Sequence, residues 1–290
     1  MFKQVFGVLL VLSVAACSSS PAEKPQVQAP APTLNAAQID SYLSAADASR
    51  QDGRFSEAIQ LYQQVLIADP QSSAAQLGVA ECLLGTGKAD DALKAFSALA
   101  QNSSVNALAL QGKGLAQLAL KQREQAAQAL HDAVAADPKL WRSYNALGLI
   151  ADAKHEFDSA AQSYNAAISI NLDSALLHNN LGYSRLMAGK PEEALVEFRK
   201  ALALDPSSDT VESNFRLALA AKGDYADAIR GTGVDKLPIV LNNVGYIAMQ
   251  RGDLLAAEGY LTRAMEKSPS FNTIASQNIE QLKAKKGIEQ

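Results

Sequence analysis

LWRSYNALGLIADAKHEFDSAAQSYNAAISINLD (residues 140–173), followed by SALLHNNLGYSRLMAGKPEEALVEFRKALALDP (residues 174–206), decides the fold. Laid one under the other, Gly148 falls over Gly182, Ala160 over Ala194 and Tyr164 over Phe198, each pair 34 residues apart. The spacing extends outward in both directions. Ala58, Ala92, Ala126, Ala160, Ala194 and Ala228 form one series, and Tyr62, Phe96, Leu130, Tyr164 and Phe198 stand four residues after the first five. Twelve residues before those alanines come Ala46, Ala80, Gly114, Gly148 and Gly182. Pro70, Pro138 and Pro206 are two periods apart.

Each position has a physical reading. Small residues on two helices let their axes approach closely, and a larger side chain there would wedge them apart. The bulky residue fills the remaining space and contacts the next unit. Proline refuses to continue the second helix. Gly53, Gly87, Gly189, Gly223 and Gly252 share one repeat position, where a left-handed residue ends the first helix. Lys121 and His155 take that position in two units, Ser104 and Leu172 replace the proline in two, and Arg216 replaces the small residue of the sixth. A 34-residue small–small–bulky–Pro period resembles the tetratricopeptide repeat. The resemblance implies an all-α, right-handed superhelical α-solenoid of about seven helix pairs. A terminal helix over 272–286, polar on one side, reads as its cap.

One interval departs from the period. Ala257 follows Ala228 by 29 residues, so the segment IRGTGVDKL (229–237) shortens the second helix of unit six. It reads first as a tolerated deletion in a degenerate repeat, and alternatively as a kink that redirects the superhelix. Unit seven, 238–269, then recovers the pattern.

The N-terminus reads differently. Lys3, an apolar run from Val5 to Val14, and Ala15-Ala16 form an export signal over 1–16. The run is too short to span a bilayer, which takes roughly 20 residues. Val14-Ala15-Ala16-Cys17 resembles a bacterial lipobox, which implies cleavage before Cys17 and a lipid on its thiol. Ser18, in place of an aspartate, implies the outer membrane by the same resemblance. Residues 17–37, with four prolines, read as an extended tether, and 38–290 as the solenoid.

Composition limits the chemistry. A net charge of −4 gives no electrostatic reason to expect nucleic acid. With Cys17 lipidated, Cys82 has no partner in the chain, and it reads as a small buried hydrophobe. His131, His155 and His178 have no metal-ligand spacing and read as surface or turn residues. Gly85-Thr86-Gly87-Lys88 lacks the rest of a phosphate loop, and no catalytic set assembles. The expectation is a binding protein with no enzymatic activity, metal or cofactor.

The first helices of the last four units carry Asn145, Asn179, Asn180, Asn214, Asn242 and Asn243, with Tyr183 and Tyr246 one turn on. An amide offers donor and acceptor, so this face can pair with the main chain of an extended peptide. Asparagine at such positions can equally serve local packing. Residues 1–17 and most of 140–275, above all the run from Asn179 through the short break to Phe271, resemble the TadD-type lipoproteins of the tight-adherence (Flp) pilus system. That resemblance implies a lipid-anchored periplasmic scaffold at the outer membrane, whose partners are the outer-membrane secretin or other pilus assembly subunits. The alternative is an envelope adaptor that docks peptidoglycan hydrolases or other periplasmic proteins.

Overall fold

A computed structural model describes residues 34–267 and 272–287. Cys17, the export signal and nearly all of the tether lie outside the described residues. The all-α solenoid expected from the period is what is found. The helix pairs are α1(Ala36–Gln51) with α2(Phe55–Ala68), α3(Ser73–Gly85) with α4(Ala89–Leu99), and α5(Asn106–Ala119) with α6(Arg123–Ala136). They continue as α7(Trp141–Ala153) with α8(Phe157–Ile170), and α9(Ala175–Met187) with α10(Pro191–Leu204). The sixth pair is α11(Asp209–Lys222) with α12(Tyr225–Ile229), the seventh α13(Leu237–Arg251) with α14(Leu254–Lys267), and α15(Asn272–Lys285) closes the stack. Among the described residues no helix is long and apolar enough to cross a membrane.

The helical body starts two residues before the expected boundary at 38. Asn35 accepts from the Gln38 N–H at 2.9 Å while the Gln38 side chain accepts from the Asn35 N–H at 2.9 Å. This reciprocal cap satisfies two otherwise orphaned amides and fixes the first turn at Ala36. Ser72, Ser174 and Ser208 cap α3, α9 and α11 through their hydroxyls.

Every first helix ends the same way. The amide after the turn position donates to the carbonyl five residues back, as in Arg54 N–H to Ser49 and Lys190 N–H to Arg185. That closure requires a left-handed residue. Lys121 (φ 62°) and His155 (φ 61°) adopt it although they carry a Cβ. The backbone thus follows the repeat even where the sequence leaves the glycine pattern.

The core follows the alanine and bulky series. Ala58, Ala92, Ala126, Ala160, Ala194, Ala228 and Ala257 are fully buried, as are Phe96, Leu130, Tyr164 and Phe198. A Cβ on Gly148 would lie 2.6 Å from the Tyr164 ring, and one on Gly182 2.8 Å from the Phe198 ring. These glycines are therefore space requirements. Tyr62 and Phe96 lean forward instead, against Gly78 and Gly112 of the next first helix.

The shortened unit lies where the 29-residue interval placed it. The helix α12 has five residues, and Arg216 occupies the position of the small residue. Its guanidinium donates to the carbonyls of Ala228 (2.8 Å) and Arg230 (3.0 Å) and pairs with Glu212 at 2.6 Å. The two departures are coupled: the room left by the lost helix admits the arginine, and the arginine caps the carbonyls that the loss exposes.

Candidate functional site

The first helices of successive pairs lie side by side, so equivalent positions form rows. In the rows at Asn145 and the residue after it, amides meet across helices. The Asn180 Nδ2 donates to Asn145 Oδ1 at 2.9 Å, and the Asn214 Nδ2 donates to Asn179 Oδ1 at 2.9 Å. A longer contact of 3.5 Å joins Asn179 to Asn180. The result is a ladder across α7, α9 and α11. At the far end the Asn278 Nδ2 donates to Asn242 Oδ1 at 2.8 Å, and Asn242 approaches Asn243 at 3.5 Å. Of the six asparagines expected at a peptide face, Asn145, Asn179, Asn180, Asn214 and Asn243 are partly exposed along these rows, whereas Asn242 is buried and held by Asn278 of α15, so it serves packing. Each bond uses one of an amide's two N–H groups and one lone pair of its oxygen, which leaves capacity for a further partner.

Apolar rows flank the amides. On one side stand Leu149, Tyr183 and Tyr246, between 41 and 47% exposed. On the other stand Leu108, Leu176 and Ile239, also exposed. In units two and three the row of Asn180 holds Gly78 and Gly112 instead. The surface therefore changes along the stack from small residues to amides.

The N-terminal end carries charge that sequence reasoning did not single out. The Tyr62 hydroxyl donates to Asp47 (2.5 Å), and Arg50 Nε donates to that hydroxyl at 3.3 Å. Glu81 pairs with Arg50 at 2.5 Å and reaches Arg142, two units on, at 3.5 Å. Arg50, Glu81 and Arg142 border a cavity of about 170 Å³ whose walls include Phe96, Gln111 and Gly112. Burial and the bond to Asp47 push the Tyr62 phenol well above its ordinary range. Sequence reasoning had a usable signal here: opposite charges on the first helices of neighbouring units.

His178 corrects a sequence expectation. It is buried rather than at the surface, and its Nδ1 lies 2.7 Å from Glu197 of α10. It stands 34 residues after Tyr144, on the side of the first helix that packs inward, so a ring of that size is covered and finds a partner. His131 is exposed and His155 sits in its turn, as expected. Cys82 is fully buried, and burial pushes its thiol up to about 11. Among the described residues no group of three or more His, Cys, Asp or Glu side chains could hold a metal ion.

Comparisons with known proteins agree with this geometry. Three family models, each described as tetratricopeptide repeat, match residues 49–113, 112–174 and 175–208. The chain is 31% identical over 129 residues to the peroxisomal targeting signal receptor of Candida albicans, covering 38% of this chain and 22% of the receptor. It is 25% identical over 231 residues to the BBSome complex member BBS4 of Bos taurus, covering 76% of this chain and 43% of that protein. The chain spans less than half the length of either relative. Among solved structures, a thermophilic tetratricopeptide-repeat protein of Thermus thermophilus superposes with a TM-score of 0.53 at 23% identity, covering 66% of this chain and 98% of that one. A tetratricopeptide-repeat protein of Parabacteroides merdae gives a TM-score of 0.52 at 13% identity over 84% and 99% of the two chains. At such identities the two structures speak for the fold alone. Since the three matches run without a gap over 49–208, more than half of the sequence, and the same spacing governs the helices on either side, this chain belongs to the tetratricopeptide-repeat family, whose stacked helix pairs are scaffolds that bind other proteins.

Proposed function

We propose that the amide-lined half of the groove, with Asn145, Asn179, Asn180, Asn214 and Asn243 beside Tyr183 and Tyr246, holds an extended segment of a partner protein. The observation that carries this is the ladder of asparagines paired across neighbouring helices, with hydrogen-bonding capacity to spare, between two exposed apolar rows. Amides can serve the main chain of a bound strand whatever its sequence, and the apolar rows can take alternate side chains. Relatives named as receptors of a targeting signal favour a stack that reads a peptide segment.

The partner we propose is a subunit of the tight-adherence pilus apparatus, its outer-membrane secretin first. Cys17, lipidated, holds the solenoid at the inner leaflet of the outer membrane, and the groove keeps a secretin segment near the bilayer. The likeness of the C-terminal half to TadD-type lipoproteins, together with the lipobox, supports this assignment.

Capture of the secretin by the purified chain tests the reading. Asn180→Ala with Asn243→Ala should reduce capture at least tenfold with the helical content retained. Unchanged capture removes the groove reading. Normal secretin multimers in cells without the protein remove the pilus assignment, and recovery of a cell-wall hydrolase in place of the secretin favours the adaptor alternative. Cys17→Ser should release the chain from the membrane fraction.

A further inference from the structure

In the first two units the space against the next first helix is filled from behind by a large side chain of the second helix. Tyr62 fills it against Gly78, where an added Cβ would meet the ring at 2.2 Å, and Phe96 fills it against Gly112 at 2.3 Å. The equivalent residue of the sixth unit is Thr232, which lies in the loop after the shortened α12. A cavity of about 240 Å³ remains between α11 and α13. Leu217, Val240 and Val244 wall it, and Ser213, Ile239 and Asn243 border it from groove-facing positions.

Its charges are already spent on one another. Arg216 pairs with Glu212 at 2.6 Å and donates to two carbonyls, and Lys236 pairs with Asp209 at 2.5 Å. A charged occupant would find no free counter-charge there and would lose its hydration. An apolar one would cover Ile239, which is 48% exposed. Asn243 belongs both to this border and to the amide rows, so the cavity is continuous with the face described above.

We propose that this cleft is an anchor pocket that takes one large uncharged side chain, of leucine or phenylalanine size, from the partner segment lying along the amide rows. The partner supplies the plug that the shortened unit lacks. The pocket deepens the groove reading and rests on it for the direction of approach.

The test uses the full-length chain with labelled methyl groups and three probes: N-acetyl-phenylalaninamide, N-acetyl-leucinamide and N-acetyl-aspartic acid amide. The two apolar probes should shift the methyl signals of Leu217, Val240 and Val244 saturably while leaving Leu149 unmoved, and the acidic probe should shift none. Val240→Phe, which fills the cavity from its wall, should weaken the apolar probes at least tenfold. Ser213→Trp, which covers the border, serves if the first variant does not fold. Equal shifts at Leu149, equal binding of the acidic probe, or indifference to both variants overturns the pocket. Those outcomes are separable from failure of the groove: if the pocket fails while secretin capture still depends on Asn180 and Asn243, the groove stands. Saturable probe binding with capture indifferent to those asparagines removes the groove and supports the pocket alone.

Discussion

The guanidinium of Arg216 donates to the carbonyl oxygen of Ala228 at 2.8 Å, and so closes the end of a helix that stops after five residues. Removing it leaves that carbonyl and the one of Arg230 without their cap. Hydrogen bonds to a charged donor contribute about 1.5–3 kcal/mol when well made. Arg216→Ala should therefore lower stability by about 2 kcal/mol. Arg216→Lys should recover less than half, because an ammonium cannot serve Glu212 and both carbonyls with the geometry of a planar fork. Urea unfolding followed by circular dichroism measures both, and full recovery by lysine would contradict this account.

Lys121 and His155 hold a left-handed backbone that a Cβ opposes. The conformation costs a non-glycine residue roughly 1 kcal/mol. Lys121→Gly and His155→Gly should each raise stability by about 0.5–1 kcal/mol, in spite of the greater freedom of glycine in the unfolded chain. Gly189→Ala should lose a similar amount. Thermal melts of the three variants give the signs directly.

Gly182 and Phe198 share one volume. A helical Gly→Ala change ordinarily gains about 1 kcal/mol. Here the new methyl meets the ring, and overpacking of this kind costs about 1–3 kcal/mol. Gly182→Ala should be destabilising, and Phe198→Leu in the same chain should relieve it. The pair should be less unstable than the sum of the two single variants. Strict additivity would show that the contact is not what excludes alanine.

Alkaline pH should loosen the stack in two stages. Burial raises the Cys82 thiol from 9.0 to about 11. Burial, then the bond to Asp152, raises the Tyr164 phenol far above 10.0. In both the folded chain favours the neutral form. Their contribution is full below the unfolded-state values and is lost as pH rises through the folded ones. Melting temperature should hold to near pH 9 and then fall. Cys82→Ala should flatten the first part of the decline, and Tyr164→Phe the part above 10. An unchanged slope in both variants would assign the decline elsewhere.

Much of this was legible in the sequence because packing writes itself as residue size. Gly148, Ala160 and Tyr164 recur at fixed intervals since each answers the others' volume. The five-residue α12 was legible too, from the interval between Ala228 and Ala257 alone. Pairing was not. Asn180 meets Asn145 and Asn214 meets Asn179, so the partners lie 35 residues apart, one more than the period. That offset belongs to the way neighbouring helices lie against each other, which a one-dimensional repeat does not contain. His178 was misread because the residue type was weighed and its place on the inward side of α9 was not. The pair of Glu81 with Arg142 spans two units and needs the stack to exist before it can be seen.

The short α12 also sets where a protease can enter. Each pair of a linear stack leans on its neighbours, and here the second-helix layer is reduced to one turn of helix and a loop with Gly231 and Gly233 exposed. Exposed glycine-rich loops are where chains are nicked. Limited digestion of the folded molecule should cut there early and leave two fragments, one of six helix pairs with the last cut short, and one of a single pair with its closing helix.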